Sequence, residues 1–169
     1  MSVAPVLVFA IGNESRGDDA LGPLLGRSLA EGLDSRQVEV LEEYQLQVEN
    51  TLDMAGRQLV LFVDAGHGTP APFTFYRASL QPPSGHSTHA VAPEALLGVY
   101  RQVNGEAPPP AFILCVAGQA FELGEPLSVA AASNLNPALD FARALFTTPE
   151  LAAWQRLAAG QPALTEDCV

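Results

Sequence analysis

The stretch APVLVFAIGNESRGDDALGPLLGRSLAEGL, residues 4 to 33, decides the fold. It opens with an uninterrupted apolar run, Ala4 to Gly12, of strand length. A strand with no polar alternation belongs in a sheet covered on both faces, and such sheets are parallel. Beyond a loop, Leu21, Leu24, Leu25, Leu29 and Leu33 recur at helical spacing, and the helix stops near Gly32 to Asp34. The loop between carries Asn13, Glu14 and two adjacent carboxylates, Asp18 and Asp19. One acid is enough to cap the helix; the second asks for another reason.

The same alternation continues along the chain. Val38 to Leu41, Gln58 to Ala65 and Ala111 to Ala117 are further apolar strands, and Phe73 to Arg77 adds an edge strand that could run antiparallel. A helix starts near Pro93, carries Leu96, Leu97, Tyr100 and Val103, and stops at Gly105. A third runs from about Ser133 to Phe146 with Leu135, Leu139, Ala142 and Phe146 on its stripe, and Pro149 begins a short terminal helix. The expectation is an α/β three-layer sandwich: a mostly parallel twisted sheet of about five strands, with helices on both faces. At 169 residues the chain fits one domain, residues 1–169, whose last ten or so residues read as a disordered tail. Ala78 to Thr88, rich in Pro, Ser and Gly, is a long loop of the kind that carries function in compact domains.

Charge narrows the partners. Nineteen acids face eight bases, all of them Arg, for a net charge of −11. Such a field repels phosphate backbones and anionic lipid, so nucleic acid and membrane are excluded as partners and a cationic or metal-bearing one is favoured. No apolar run reaches membrane-spanning length, and the opening residues lack an export signal, which predicts a cytoplasmic protein. Two cysteines are too few for a disulfide framework; Cys115, inside an apolar run, reads as a small core residue and Cys168 as a solvated tail thiol.

In a parallel sheet, ligands bind beyond the carboxyl ends of the strands. The loops leaving those ends carry Asp18, Asp19, Asp64, His86 and His89. Taken singly, each has an ordinary explanation. Asp18 would cap the first helix, Asp64 would end a strand in a turn, and His67 and His86 would be exposed loop residues. Tyr44 and Trp154 would be packing groups. Together, Asp19, Asp64 and His89 offer two oxygens and one nitrogen, a set that suits nickel or zinc and leaves positions for water or a substrate group. Carboxylates gathered without a cation repel one another, and a cation resolves the conflict. Other chemistries fit poorly. The first turn lacks the Gly-x-Gly-x-x-Gly of dinucleotide folds, no P-loop is present, no Ser occupies a nucleophile elbow, and Cys115 has no evident base.

The motifs resemble those of the endopeptidases that mature the large subunit of nickel-iron hydrogenases. GNESRGDDALG (12–22) is similar to that family's Gly-Asn, loop and acid pair; LVLFVDAG (59–66) to its Asp-ended third strand; and STHAVAPEALL (87–97) to its His before a helix. YQLQVENTLDMAG (44–56), PPPAFILCVAGQAFELGEPLS (108–128) and STHAVAPEALL resemble the branch serving soluble bidirectional NAD(P)-linked hydrogenases. The chain departs from the pattern at Ala10, at Ala20, and at Asp19, where Glu is common and whose carboxylate reaches about one methylene less far.

The resemblance implies an endopeptidase, a peptide-bond hydrolase of aspartyl type, that removes a C-terminal peptide from a nickel-loaded precursor of the large subunit. Asp19, Asp64 and His89 would be both the catalytic residues and the metal ligands, with assistance from Asp18, and Gln45 in the loop after the second strand would select the substrate. The nickel would be presented by the substrate, with zinc or another divalent cation held in isolation. The precursor would be the partner of a protein that is otherwise a monomer. The alternative is a metal-binding chaperone that holds the immature subunit without cutting it.

Overall fold

The computed structural model describes residues 2–82 and 90–161. His86, His89 and Cys168 lie outside the described residues.

Strand β1 (Val6–Ile11) is buried at every position, as its unbroken apolar sequence requires. With β2 (Val38–Glu43), β3 (Leu59–His67), β4 (Phe73–Arg77) and β5 (Ala111–Gly118) it forms a sheet of order β2-β1-β3-β5-β4. The β1·β2, β1·β3 and β3·β5 pairs are parallel, and β4 is the antiparallel edge. Alternate side chains divide the core in two. Leu7, Phe9, Val60 and Phe62 point toward the layer of α2 (Thr51–Met54) and α3 (Pro93–Asn104), where Met54, Leu96, Leu97 and Tyr100 cover them. Val8, Leu61, Val63 and Ala65 point the other way, into α1 (Leu21–Ala30), α4 (Val129–Leu145) and α5 (Leu151–Ala159). Each Leu or Phe buried in this way contributes about 1.5–3 kcal/mol. The expected three layers and mixed sheet are thus observed, and among the described residues no helix is long and apolar enough to cross a membrane.

Helix α1 lies against β1 because Gly22 lets it. A Cβ there would fall 2.0 Å from the carbonyl oxygen of Ile11. That contact holds the acid-bearing loop over the strand end.

Several expectations change. β3 continues past Ala65 to His67, because β5 keeps pairing with it as far as His67 opposite Gly118. His67 therefore ends a strand rather than lying in a loop. α4 starts at Val129, not near Ser133, since Ser128 takes the N-cap and its Oγ accepts from Ala131 N at 3.1 Å. α5 begins at Leu151. The turns Val48–Asn50 and Thr51–Met54 are too short to show a period and were not expected. Tyr44 is 75% exposed and Val103 66%, so neither packs. Trp154 does: it is fully buried, and its Nε1 donates to Leu145 O at 2.9 Å.

Candidate active site

The chain leaves β1 and turns at Gly12, whose φ of +151° places the backbone where a side chain would strike the carbonyl oxygen of Asp19 at 1.9 Å. The turn folds Asn13 back over the acid pair. Asn13 N donates to Asp19 Oδ2 at 2.7 Å, while Asn13's own side chain and carbonyl accept from Ser15 N and Arg16 N. Asp19 is thereby aimed over the rim of the sheet and stays partly exposed.

Its neighbour does something else. Asp18 is fully buried and accepts four hydrogen bonds: from Gln119 N at 2.8 Å, Ala120 N at 3.0 Å, Ser128 N at 2.7 Å and Ser128 Oγ at 2.7 Å. Burial alone would raise its pKa, but the four donors outweigh burial and hold the carboxyl below its ordinary range. It does not cap α1, against expectation: it lies inside the short helix Gly17–Ala20, α1 has Ala20 at its N-cap with no side-chain bond, and Asp18 instead fastens the first loop to the loop after β5. This is the separate reason for the second acid.

Asp64 faces the α2/α3 side of β3, near the carboxyl end of that strand. Burial pushes its pKa well above the ordinary 3.8, the bond from Ala65 N at 2.8 Å opposes this, and the charge of Asp19 raises it further. Asp19 is also raised, by burial, against the pull of the Asn13 amide and of Arg16. Two carboxylates that resist ionising share one cleft of about 290 Å³ with Gln45, Leu46 and the Ala90–Pro93 segment. Such a pair takes up either a proton or a cation. The cleft's walls are tied together where Val91 N donates to Leu46 O at 3.0 Å. Asn50 shapes the wall carrying Gln45, accepting from Gln47 N and donating to Glu43 and Asp53.

Asp19, Asp64 and Gln45 therefore meet at one cleft, which Ala90 also lines. Asp18 lies behind the site. Among the described residues no cluster of three or more His, Cys, Asp or Glu side chains forms a metal centre.

No protein-family model and no curated protein sequence matches the chain. Solved structures do. A NiFe hydrogenase maturation protease, HycI from Thermococcus kodakarensis KOD1, superposes with a TM-score of 0.65 at 21% identity over 86% of this chain and 94% of its own. The hydrogenase maturating endopeptidase HybD from Escherichia coli gives 0.61 at 23% identity over 88% and 94%. HybD from Thermococcus kodakarensis gives 0.57 at 20% identity over 86% and 99%. The chain has the hydrogenase maturation protease fold.

Within this maturation-protease fold, Arg16 and Phe121 are cleft neighbours that the sequence reading did not single out, and His67, expected to be only an exposed loop residue, joins them. Arg16, His67 and Phe121 border a second depression that also reaches Asp19. The available signal was the lone base in an acidic loop, and a histidine three positions after Asp64.

Proposed function

We propose that this protein is an aspartyl-type endopeptidase of the cytoplasm that removes a C-terminal peptide from the nickel-loaded precursor of a hydrogenase large subunit, of the soluble bidirectional NAD(P)-linked kind. The observation that carries this is the pair Asp19 and Asp64: two carboxylates with raised pKa values in one cleft at the carboxyl rim of a maturation-protease fold.

His89 supplies the third ligand, one residue before the Ala90 wall of the cleft. These side chains complete the coordination of nickel carried by the substrate, so cleavage waits for metal. Binding the cation favours the ionised form of both acids and removes their mutual repulsion. Held there by Asp19, Asp64 and His89, the ion would supply Lewis-acid chemistry toward the scissile carbonyl or a water. Gln45, at the opposite wall, contacts the precursor and selects it. Asp18 holds the loop that carries Asp19 and acts as a positioning residue. The protein works as a monomer on its precursor.

The test is a mass measurement on precursor with and without nickel, incubated with this protein. Loss of a C-terminal peptide only from the loaded form is expected. Retention on the precursor with unchanged mass would instead establish a non-cleaving chaperone.

A further inference from the structure

Asp19 borders three adjoining depressions along the rim. One holds Asp64 and Gln45; a second, of about 640 Å³, runs past Asn13, Tyr44 and Gln47; the third, of about 230 Å³, lies between Arg16, His67 and Phe121. The first and third occupy opposite faces of the sheet, because Asp64 and His67 stand at even and odd positions of β3. Asp19 is the crest between them.

We propose that the Arg16–His67–Phe121 depression is a substrate subsite for one Asp or Glu side chain of the precursor's C-terminal segment, lying across Asp19 from the Gln45 cleft. This rests on the proposed function insofar as the ligand is a peptide drawn over Asp19. Arg27, Arg36, Arg57 and Arg143 each have an acid partner, whereas Arg16, Arg77, Arg101 and Arg156 form no ion pair among the described residues; of these four, only Arg16 borders the depressions around Asp19. Arg16 has no ion pair or side-chain hydrogen bond among the described residues, although it borders the same depression as Asp19. The charge of Arg16 acts on Asp19 without an ion pair between them, so its planar fork stays open to match an incoming carboxylate. His67 adds ring nitrogens on the same wall. Phe121, whose ring meets that of His67 edge-on at 5.9 Å, gives an apolar surface for the methylenes of the incoming side chain. The volume admits a single side chain rather than a folded element. Asp19 lines all three depressions; Arg16 and His67 face it in the third, whereas Asp64 and Glu43 add further negative charge to the first and second, so an acidic side chain is favoured in the third.

The experiment uses nickel-loaded precursor in which each Asp and Glu of the C-terminal segment is changed in turn to its amide, with binding and cleavage read separately. One position should weaken binding to the wild-type protein about tenfold on losing its charge, and less than about twofold to Arg16→Gln. Replacing that acid by Lys should restore binding to Arg16→Glu, a rescue that an effect of Arg16 on Asp19 alone would not produce. Equal losses at all acidic positions, or no coupling to Arg16, overturn the subsite. Cleavage without coupling removes the subsite and keeps the proposed function; coupled binding without cleavage does the reverse. No binding by wild-type protein counts against both.

Discussion

Asp64 is a carboxylate held where a charge is unwelcome, and its stability cost can be measured. Its folded pKa lies above the unfolded 3.8, so as pH rises past that value the unfolded chain releases its proton while the native one keeps it. Native stability then falls until the folded pKa is passed. Asp64→Asn keeps an acceptor for Ala65 N and should raise the melting temperature at pH 7, with the gain fading below about pH 3.8, while abolishing precursor cleavage. Asp18 has the opposite sign. Its folded pKa is depressed, so it stabilises the protein above the unfolded pKa and loses that effect as pH falls through the folded one. Asp18→Ala strands three backbone amides and should cost about 3 kcal/mol or more in urea unfolding, far beyond a lost helix cap. The two acids show what a sequence discloses at this scale. Asp19 and Asp64 were legible because strand ends of a parallel sheet are known places to look. The duty of Asp18 was not, because its partners stand 101 to 110 positions away, and local spacing carries no trace of them.

The elements follow the same division. β1, β3 and β5 could be read directly, since strands covered on both faces leave an unbroken apolar record. The far end of β3 could not: Gly66 and His67 look like a turn, and only the pairing with β5 keeps them extended. The start of α4 was missed because Leu135 to Phe146 carry its visible stripe, while the cap at Ser128 precedes it. Tyr44 misled because an aromatic usually packs; here it stands beside the cleft at the end of β2. Two predictions belong to elements. The loop after β1 depends on Gly12, so Gly12→Ala should push against the carbonyl of Asp19, cost about 2 kcal/mol or more in chemical unfolding, and sharply reduce cleavage. Gly105→Ala, also at positive φ but with open space around its Cβ and remote from the cleft, should lower stability and leave cleavage unchanged. Trp154 fastens α5 to the sheet through the rings of Phe75 and Phe112, at 6.5 and 5.5 Å, so Trp154→Ala should cost about 3–5 kcal/mol in thermal or urea unfolding.

For the molecule as a whole, a divalent cation that binds the native cleft and not the unfolded chain must raise stability. Nickel or zinc at pH 7 should lift the melting temperature of the wild-type protein and not that of Asp64→Asn or Asp19→Ala, and a chelator should reverse the lift. An equal shift in all three would assign the ion to the general acidity of the surface. The sequence conveyed that acidity and the layered architecture, since both are sums over many residues; it left out the groove over the rim, which is made by side chains that only the fold brings together. One last consequence comes from the four bonds on Asp18. They join the opening loop to donors at Gln119, Ala120 and Ser128. During translation, a nascent chain has made both acids long before it has made those donors. A polypeptide that ends before Ser128 lacks donors that Asp18 needs, so the opening loop gains its full anchorage only after about three quarters of the chain has been made.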